Sequence, residues 1–406
     1  MKFEPETVKG FQDFLPPESL KRKAVREIIE KWFKLYGFVI VETPVVEFEE
    51  LMRSNILPSE EEAVSERFKL KDRGGRNLGL RYEFTFQLAR IFKQNPNIKL
   101  PLKRYQIGEV FRDEPVSQLR FRQFTQCDAD IVGDSSINAD AECLAMLSDI
   151  LKELKINAEI QLNNKKLLSA IIESVEIQNV ISVMKELDKI EKIGEDDVKT
   201  NLKKYASTNQ IVTLFKLLDK DLSFFKNNAF VGVGELEGLI EKCEEYGIKT
   251  KVNLLLARGL AYYTGNVFEV KGPEKISIAA GGRYDKTVGK FLSKEIPAVG
   301  ISFGLERIAN LSNVESEKIP KAVLISINQN KETIKLAKKL RKENISCSVS
   351  YEKAGKALEY ANSLKVSYVI FIGAEEIEKN KFKLKNMGTG EESLLSEKQL
   401  LRILKK

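Results

Sequence analysis

The chain predicts an α+β first domain, an antiparallel sheet flanked by helices and carrying a helical insertion, followed by a C-terminal α/β domain. Three observations carry this. A strand, a loop and a second strand are legible from Lys103 to Val132. From about 165 to 245 the chain turns helix-rich and Lys-rich. After Pro320 strands and helices alternate.

With 406 residues, 43% of them hydrophobic, the chain can bury more than one core. No apolar run approaches the ~20 residues of a membrane span, and MKFEPETVKG has no signal-peptide layout. A cytoplasmic protein with no membrane partner is expected. Cys127, Cys143, Cys243 and Cys347 are scattered without a Cys-x-x-Cys pair, which points to free thiols, with neither a disulfide framework nor a zinc site. The chain contains no histidine. That excludes Ser-His-Asp and Cys-His triads, His-ligated metals and imidazole acid–base catalysis. Chemistry is left to carboxylates, Arg, Lys, Tyr, the backbone or a bound metal.

Residues 321–406 hold 18 Lys and Arg against 10 Glu and no Asp, so the whole net charge of +7 arises at the C-terminal end. A basic terminal domain on a near-neutral body suits a polyanion such as RNA. A Lys-rich solubilising surface fits the same charge count.

In chain order, Gly10-Phe11-Gln12-Asp13-Phe14-Leu15-Pro16 opens an extended segment. After Pro17 a helix is expected, because Leu20, Ala24, Ile28, Trp32 and Leu35 follow helical spacing and Gly37 can end it. The strand FVIVETPVVE follows, and Leu51 to Lys71, with its acidic run, reads as a loop. Ala139, Cys143, Leu147 and Ile150 give a helix over Asn138 to Leu154, and INAEIQLN gives a strand. NVFEV is a strand, Ala280 to Asp285 reads as a Gly-Gly loop after a strand, and Pro297 to Arg307 reads as strand then helix. The linker NLSNVESEKIP separates 1–318 from 321–406.

The hairpin is the informative stretch. Side chains two apart share a face of a strand, so Arg120, Arg122, Phe124, Gln126, Asp128 and Asp130 point one way. Phe121, Gln123, Thr125, Cys127, Ala129 and Ile131 point the other, toward a core. On the first strand Gln106, Gly108, Val110 and Arg112 share a face. Guanidiniums, a ring, an amide and carboxylates in one row suit a ligand anionic at one end, flat in the middle and cationic at the other. A solvated charged hairpin is the plainer alternative.

Phe111-Arg112-Asp113-Glu114, followed by Arg120-Phe121-Arg122-Gln123-Phe124 and Gln126, resembles motif 2 of class II aminoacyl-tRNA synthetases, and within that class the histidyl-tRNA synthetases. The ending Gln126-Cys127-Asp128-Ala129-Asp130-Ile131 is similar to the archaeal and eukaryotic branch. Leu80-Arg81-Tyr82-Glu83-Phe84-Thr85 resembles the family's Leu-Arg-Pro-Glu-x-Thr element, with Tyr82 in place of Pro. Arg258-Gly259-Leu260-Ala261-Tyr262-Tyr263-Thr264-Gly265 resembles its Arg-Gly-Leu-Asp-Tyr-Tyr-Thr-Gly signature, with Ala261 in place of Asp. Gly281-Gly282-Arg283-Tyr284-Asp285 matches another family element, Gly304-Leu305-Glu306-Arg307 resembles motif 3, and the segment ending at Pro44 resembles motif 1.

The resemblance implies a class II synthetase fold, histidine activation with ATP and Mg²⁺, and charging of tRNA(His). It implies that Arg112, Glu114, Arg120, Phe124 and Arg307 meet ATP. Glu83, Thr85 and Gln126 would hold the α-amino group of histidine, Tyr262 would line the histidine pocket, and Asp130, Tyr263 and Tyr284 would hold the imidazole. Arg258 would serve the substrate carboxylate and α-phosphate and, with Arg112, carry catalysis. Motif 1 implies a homodimer, the insertion a contact to the tRNA acceptor arm, and residues 321–406 an anticodon-binding domain. Two non-catalytic paralogues are the alternatives: a regulatory subunit of histidine biosynthesis, and a tRNA-sensing domain.

Overall fold

The computed structural model describes residues 4–52, 67–117, 120–257, 262–292, 294–315 and 320–405. The chain forms two compact units, Met1–Val314 and Glu315–Lys406. The strands of the first are β1 (Val39–Ile40), β2 (Val46–Phe48), β3 (Lys69–Lys71), β4 (Asn77–Leu80), β5 (Leu102–Phe111), β6 (Gln123–Val132), β7 (Glu159–Asn164), β8 (Thr250–Val252), β9 (Asn266–Lys271), β10 (Ser277–Arg283) and β11 (Ala298–Gly304). Eight of them form one sheet in the order β1-β5-β6-β11-β10-β9-β7-β8. Its interior is antiparallel, as expected, and the edge pairs β1/β5 and β7/β8 are parallel, which makes the sheet mixed at its margins. A small sheet, β2-β4-β3, stands apart.

Three helices close one face of the large sheet: α1 (Glu18–Leu35), a later helix over Ile137–Glu153, and the helix after β11. The apolar half of β6, Cys127, Ala129 and Ile131, joins Val25, Ile29, Phe33, Leu144 and Leu147 there. Burial of such a continuous apolar layer is the main force holding the domain together. On α1 the buried stripe is Val25, Ile29 and Phe33, one residue round from the expected one. Ile28 and Trp32 flank it, the indole donates to Glu153 at 2.7 Å, and Leu35 is 63% exposed. Gly37 ends the helix at φ +78°, a conformation open to glycine.

Pro44 divides the expected FVIVETPVVE strand into β1 and β2, since it cannot donate to a ladder. Most of the expected loop at 51–71 lies outside the described residues, but Lys69–Lys71 is a strand pairing with β4. Gly281 and Gly282 sit inside β10, in place of a loop after it, because β9 and β11 press on both sides: a Cβ on Gly281 would meet the Gly300 carbonyl at 2.2 Å.

After α2 (Phe86–Gln94) and α3 (Ile137–Glu153), the segment between β7 and β8 folds as α4 (Lys165–Glu173), α5 (Val180–Leu187), α6 (Ile190–Ile193), α7 (Glu195–Leu202), α8 (Thr208–Leu218), α9 (Leu222–Asn227) and α10 (Val233–Glu245). Leu168, Ile171, Val183, Leu187, Leu202, Leu214 and Leu236 make their shared interior. Asn164 starts α4 by accepting from the N–H groups of Lys166 and Leu167, and Ser207 with Gln210 forms a capping box on α8. The helix after β11 is α11 (Leu305–Leu311). Its Glu306 accepts from Arg22 of α1 at 2.6 Å and from the Thr125 N–H of β6 at 3.0 Å, tying helix, helix and strand together.

The second unit runs β12 (Ala322–Ser326), α12 (Asn330–Lys342), β13 (Cys347–Ser350), α13 (Ala354–Ser363), β14 (Tyr368–Ile372), α14 (Ala374–Glu378), β15 (Phe382–Asn386), β16 (Glu392–Leu395) and α15 (Glu397–Leu404). The sheet order is β13-β12-β14-β15-β16, parallel in its first three strands and antiparallel in the rest. Two cores flank it, Leu324, Leu336, Leu340 and Leu400 on one face and Val323, Ile325, Ala361 and Val369 on the other. β16 and the short α14 escaped the sequence reading: β16 is an edge strand with little burial to write an alternation. No helix among the described residues is long and apolar enough to cross a membrane.

With cores on both faces of its own sheet, residues 320–406 should fold when expressed alone. Thermal unfolding followed by far-ultraviolet circular dichroism should give one cooperative transition; a featureless melt would contradict this.

Candidate active site

The register of the β5/β6 hairpin sets Arg104 opposite Asp130, Gln106 opposite Asp128, Gly108 opposite Gln126 and Val110 opposite Phe124. On the other side β11 sets Gly300 opposite Asp130 and Ser302 opposite Asp128. Opposed residues share a face, so the polar half of β6 lies between two strands that supply partners or room. At Gly300 the room is essential, because a Cβ there would stand 2.0 Å from Asp130 Oδ1.

At one end Asp130 and Arg104, both buried, form an ion pair, Nη2 to Oδ2 at 2.7 Å. The same Nη2 donates to the Phe84 carbonyl at 3.1 Å, and the Tyr284 hydroxyl donates to Asp130 Oδ1. Burial raises the Asp130 pKa, opposed by Arg104 and Tyr284. For Arg104, burial alone would lower the pKa, but Asp130, the Tyr284 phenol, Asp128 and Glu83 outweigh it and the guanidinium stays charged. Among the described residues Arg104 Nε and Nη1 have no hydrogen-bond partner.

Aromatic side chains close around this end. Tyr262 and Tyr263 lie with ring centroids 4.4 Å apart and hydroxyls at 3.1 Å, Tyr284 is 6.2 Å from Tyr262, and Phe86 packs edge-on at 6.4 Å. Burial raises the pKa of all three tyrosines, so they remain hydroxyl donors at neutral pH. The backbone carrying Tyr284 is anchored by Arg283, which pairs with Asp140 and donates to the carbonyls of Asp134 and Ser136 at 3.0 and 2.9 Å.

In the middle, Gln126 donates to Ser302 Oγ and, at 3.3 Å, to Asp128 Oδ2. Glu83 accepts from the N–H groups of Thr85 and Phe86 at 2.6 and 2.7 Å, so the carboxylate also caps the start of α2. Burial raises its pKa against those bonds. Thr85 is buried as the N-cap residue of α2.

At the far end Arg112 is sandwiched, 4.4 Å over the Tyr82 ring and 5.0 Å over Phe124, with its Nη2 3.5 Å from Gln126 Oε1. Tyr82, the departure from the family's proline, thus supplies a stacking surface, and its hydroxyl donates to Glu114 at 3.4 Å. Glu114 is buried and ion-paired with Arg120. Arg120 and Arg122 precede β6 and are not part of its alternating row as expected; the strand begins only at Gln123, because Arg120 bridges back to Ser117 and Arg122 N bonds to the Gly10 carbonyl. Arg307, on α11, donates to the Ser277 carbonyl at 2.8 Å, at the start of β10. Arg258 lies outside the described residues.

Asp130, Tyr262, Tyr263 and Tyr284 are thus joined at one end, and Arg112, Glu114, Arg120 and Phe124 at the other, with Gln126 between. Sequence reading passed over Arg104, although it stands two residues before Gln106 on the same face; its signal was the continuation of that alternation. Ser302 gave no signal beyond the motif 3 strand. Together these groups set carboxylates suited to a small cation in line with a guanidinium and ring suited to an anion and a base. Among the described residues no three carboxylate or thiol side chains converge as a metal site.

Removing the Arg104 guanidinium strands Asp130 in the interior. Arg104→Met should therefore destabilise the first domain by about 3–5 kcal/mol, read from urea unfolding; a loss under about 1 kcal/mol would mean that the pair is not held in the interior.

A family model described as histidyl-tRNA synthetase matches residues 10–308, and one described as anticodon binding domain matches 321–406. The chain is 39% identical to histidine–tRNA ligase 1 of Bacillus cereus over 96% of this chain and 94% of that one. The crystal structure of a histidyl-tRNA synthetase from Nostoc sp. PCC 7120 superposes with a TM-score of 0.86 at 28% identity, covering 100% of this chain and 99% of that one. A structure from Bacillus halodurans, titled an ATP phosphoribosyltransferase regulatory subunit/histidyl-tRNA synthetase, shares the fold at a TM-score of 0.75 and 22% identity, over 89% of this chain and 97% of that one. With both domains matched and the likeness running the length of the chain, this protein belongs to the histidyl-tRNA synthetase family.

Proposed function

We propose that the chain is a histidine–tRNA ligase, which activates L-histidine with ATP to histidyl-adenylate and pyrophosphate and then transfers the histidyl group to tRNA(His). The observation that carries this reading is the row of polar and aromatic groups along β6, with Asp130, Tyr284 and Arg104 at one end and Arg112 over Phe124 at the other.

The histidine imidazole meets Asp130, Tyr263 and Tyr284, with Tyr262 behind them. Its ammonium meets Glu83, Thr85 and Gln126. The adenine stacks on Phe124 with its amino group toward Glu114, Arg120 lies along the nucleotide, and Arg307 takes the γ-phosphate. The substrate carboxylate attacks the α-phosphate in line, and Arg112 and Arg258 offset the charge that gathers there; catalysis is chiefly positioning and charge stabilisation. Mg²⁺ enters as part of the substrate, on the ATP phosphates. The role of Arg258 rests on its place in the Arg-Gly-Leu-Ala-Tyr-Tyr element.

Residues 1–318 act as the catalytic domain, the insertion at about 165–245 reaches toward the tRNA acceptor arm, and the basic residues 321–406 bind the anticodon. The C-terminal match and the retained Arg112 and Arg307 weigh against a silent paralogue. A cytoplasmic location follows from work on tRNA. An archaeal and eukaryotic affinity is supported by the Gln126 to Ile131 ending, beside the relative from Bacillus cereus named above. A homodimer is supported by exposed apolar side chains on the motif 1 strand, Ile40 at 55% beside Val39, and on the strand after Pro44, Phe48 at 51% beside Val46.

ATP–pyrophosphate exchange tested with each amino acid should respond to histidine alone, and Arg258→Ala should lower it by about two or more orders of magnitude; exchange with no amino acid would overturn the reading. Light scattering should report about twice the chain mass of 46.1 kDa, and Ile40→Asp should shift it toward the monomer; a monomeric wild type would refute the dimer.

A further inference from the structure

We propose that Asp128, a carboxylate in the middle of the row, is itself a binding group of the amino-acid pocket, its free oxygen Oδ1 receiving the α-ammonium of the substrate. This deepens the ligase reading and rests on it. Asp128 is only 3% exposed, and among the described residues its Oδ1 has no hydrogen-bond partner. A buried carboxylate oxygen left without a donor costs free energy unless something supplies one. The donor needed is small and cationic, because the side chain lies on the same face as Gln126 and Asp130 and is flanked across the sheet by Gln106 and Ser302, which are neutral.

The spacing also favours Asp128. Along a strand the stride between same-face neighbours is about 7 Å, and between next neighbours about 14 Å. With the imidazole at Asp130, the ammonium of a free histidine falls within one stride, at Asp128; Gln126 lies a second stride away, and its amide donates back to Asp128 Oδ2. With Oδ2 held by that amide, Oδ1 is the oxygen left for the ligand.

The charge balance points the same way. The charged and titratable groups that act on Asp128 are Asp130 beside it on β6, Glu83 ahead of α2, Arg104 on β5, the phenols of Tyr262 and Tyr263, and the adjoining Cys127 thiol. Three carboxylates thus face a single guanidinium, and an ammonium offsets part of the remaining negative charge. Burial first, then Asp130, push the Asp128 carboxyl up to about 7, against Arg104 and a bond from Ser302. In the empty site the group is therefore partly protonated near neutrality. An ammonium favours the carboxylate, so histidine binding expels that proton, and affinity should rise as pH climbs through about 7 and level off above it.

The test is histidine-dependent ATP–pyrophosphate exchange by wild type and Asp128→Asn from about pH 6 to 9, with imidazolepropionate, histidine without its amino group, as inhibitor. Asp128→Asn should raise KM for histidine about ten- to a hundredfold at the alkaline end, more than it lowers kcat, and should flatten the fall of KM with pH. Imidazolepropionate should inhibit both proteins equally. An unchanged KM, or a pH profile that survives the substitution, overturns the proposal. Calorimetry in two buffers near neutral pH should detect more proton release on histidine binding by wild type than by Asp128→Asn, the titration of the substrate's own imidazole being common to both; equal release overturns it. A wild type that shows no histidine-dependent exchange overturns the ligase reading instead.

Discussion

The buried pair of Arg104 and Asp130 is the constraint on which the site depends. Taking two opposite charges out of water is costly, and their attraction repays it only when the geometry is good and the remaining atoms are served. The fold meets this with neighbours from several elements: the Phe84 carbonyl ahead of α2, the Tyr284 hydroxyl beyond β10, and the glycine at 300 that leaves Asp130 its space. Each of these segments also carries a group of the site. Placing Asp130 thereby places Glu83, Thr85 and Tyr284 as well.

Helix and strand packing transmit that order outward. Thr125 lies next to Gln126 but on the opposite face, and its N–H bonds to Glu306, which also receives Arg22 of α1. The rigid helical layer behind the sheet therefore fixes the height of the polar row in front of it. Arg307, one residue after Glu306, is carried by the same short helix to the rim at Ser277. A shift of α11 would move both the support behind β6 and the guanidinium at the start of β10.

Much of this was legible in the residues. The alternation after Gln123 separates Phe124, Gln126, Asp128 and Asp130 from Cys127, Ala129 and Ile131, and the sheet uses the two faces as that pattern implies. Arg104 escaped because its importance lies in a cross-strand register, Arg104 against Asp130, that a linear pattern does not express. The α1 stripe came out one residue off because Trp32 looks like core by composition while its N–H needs Glu153 near the surface. Gly281 and Gly282 suggested a loop because glycine most often signals one; here the two neighbouring strands leave no space for a side chain. β16 left no trace since an exposed edge has nothing to bury.

The pocket proposed for the imidazole is made without one: its groups are carboxylate, phenol, guanidinium and amide, and the 406 residues contain no histidine. For a protein that charges tRNA with histidine this has a consequence at the ribosome. Translating these residues consumes none of the charged tRNA that the finished protein supplies. When that tRNA runs short, ribosomes pause on messages that call for histidine, but not within this one. Replacement copies can be made during the shortage they are needed to relieve, and output is uncoupled from a loop in which scarcity of product would curtail its own maker.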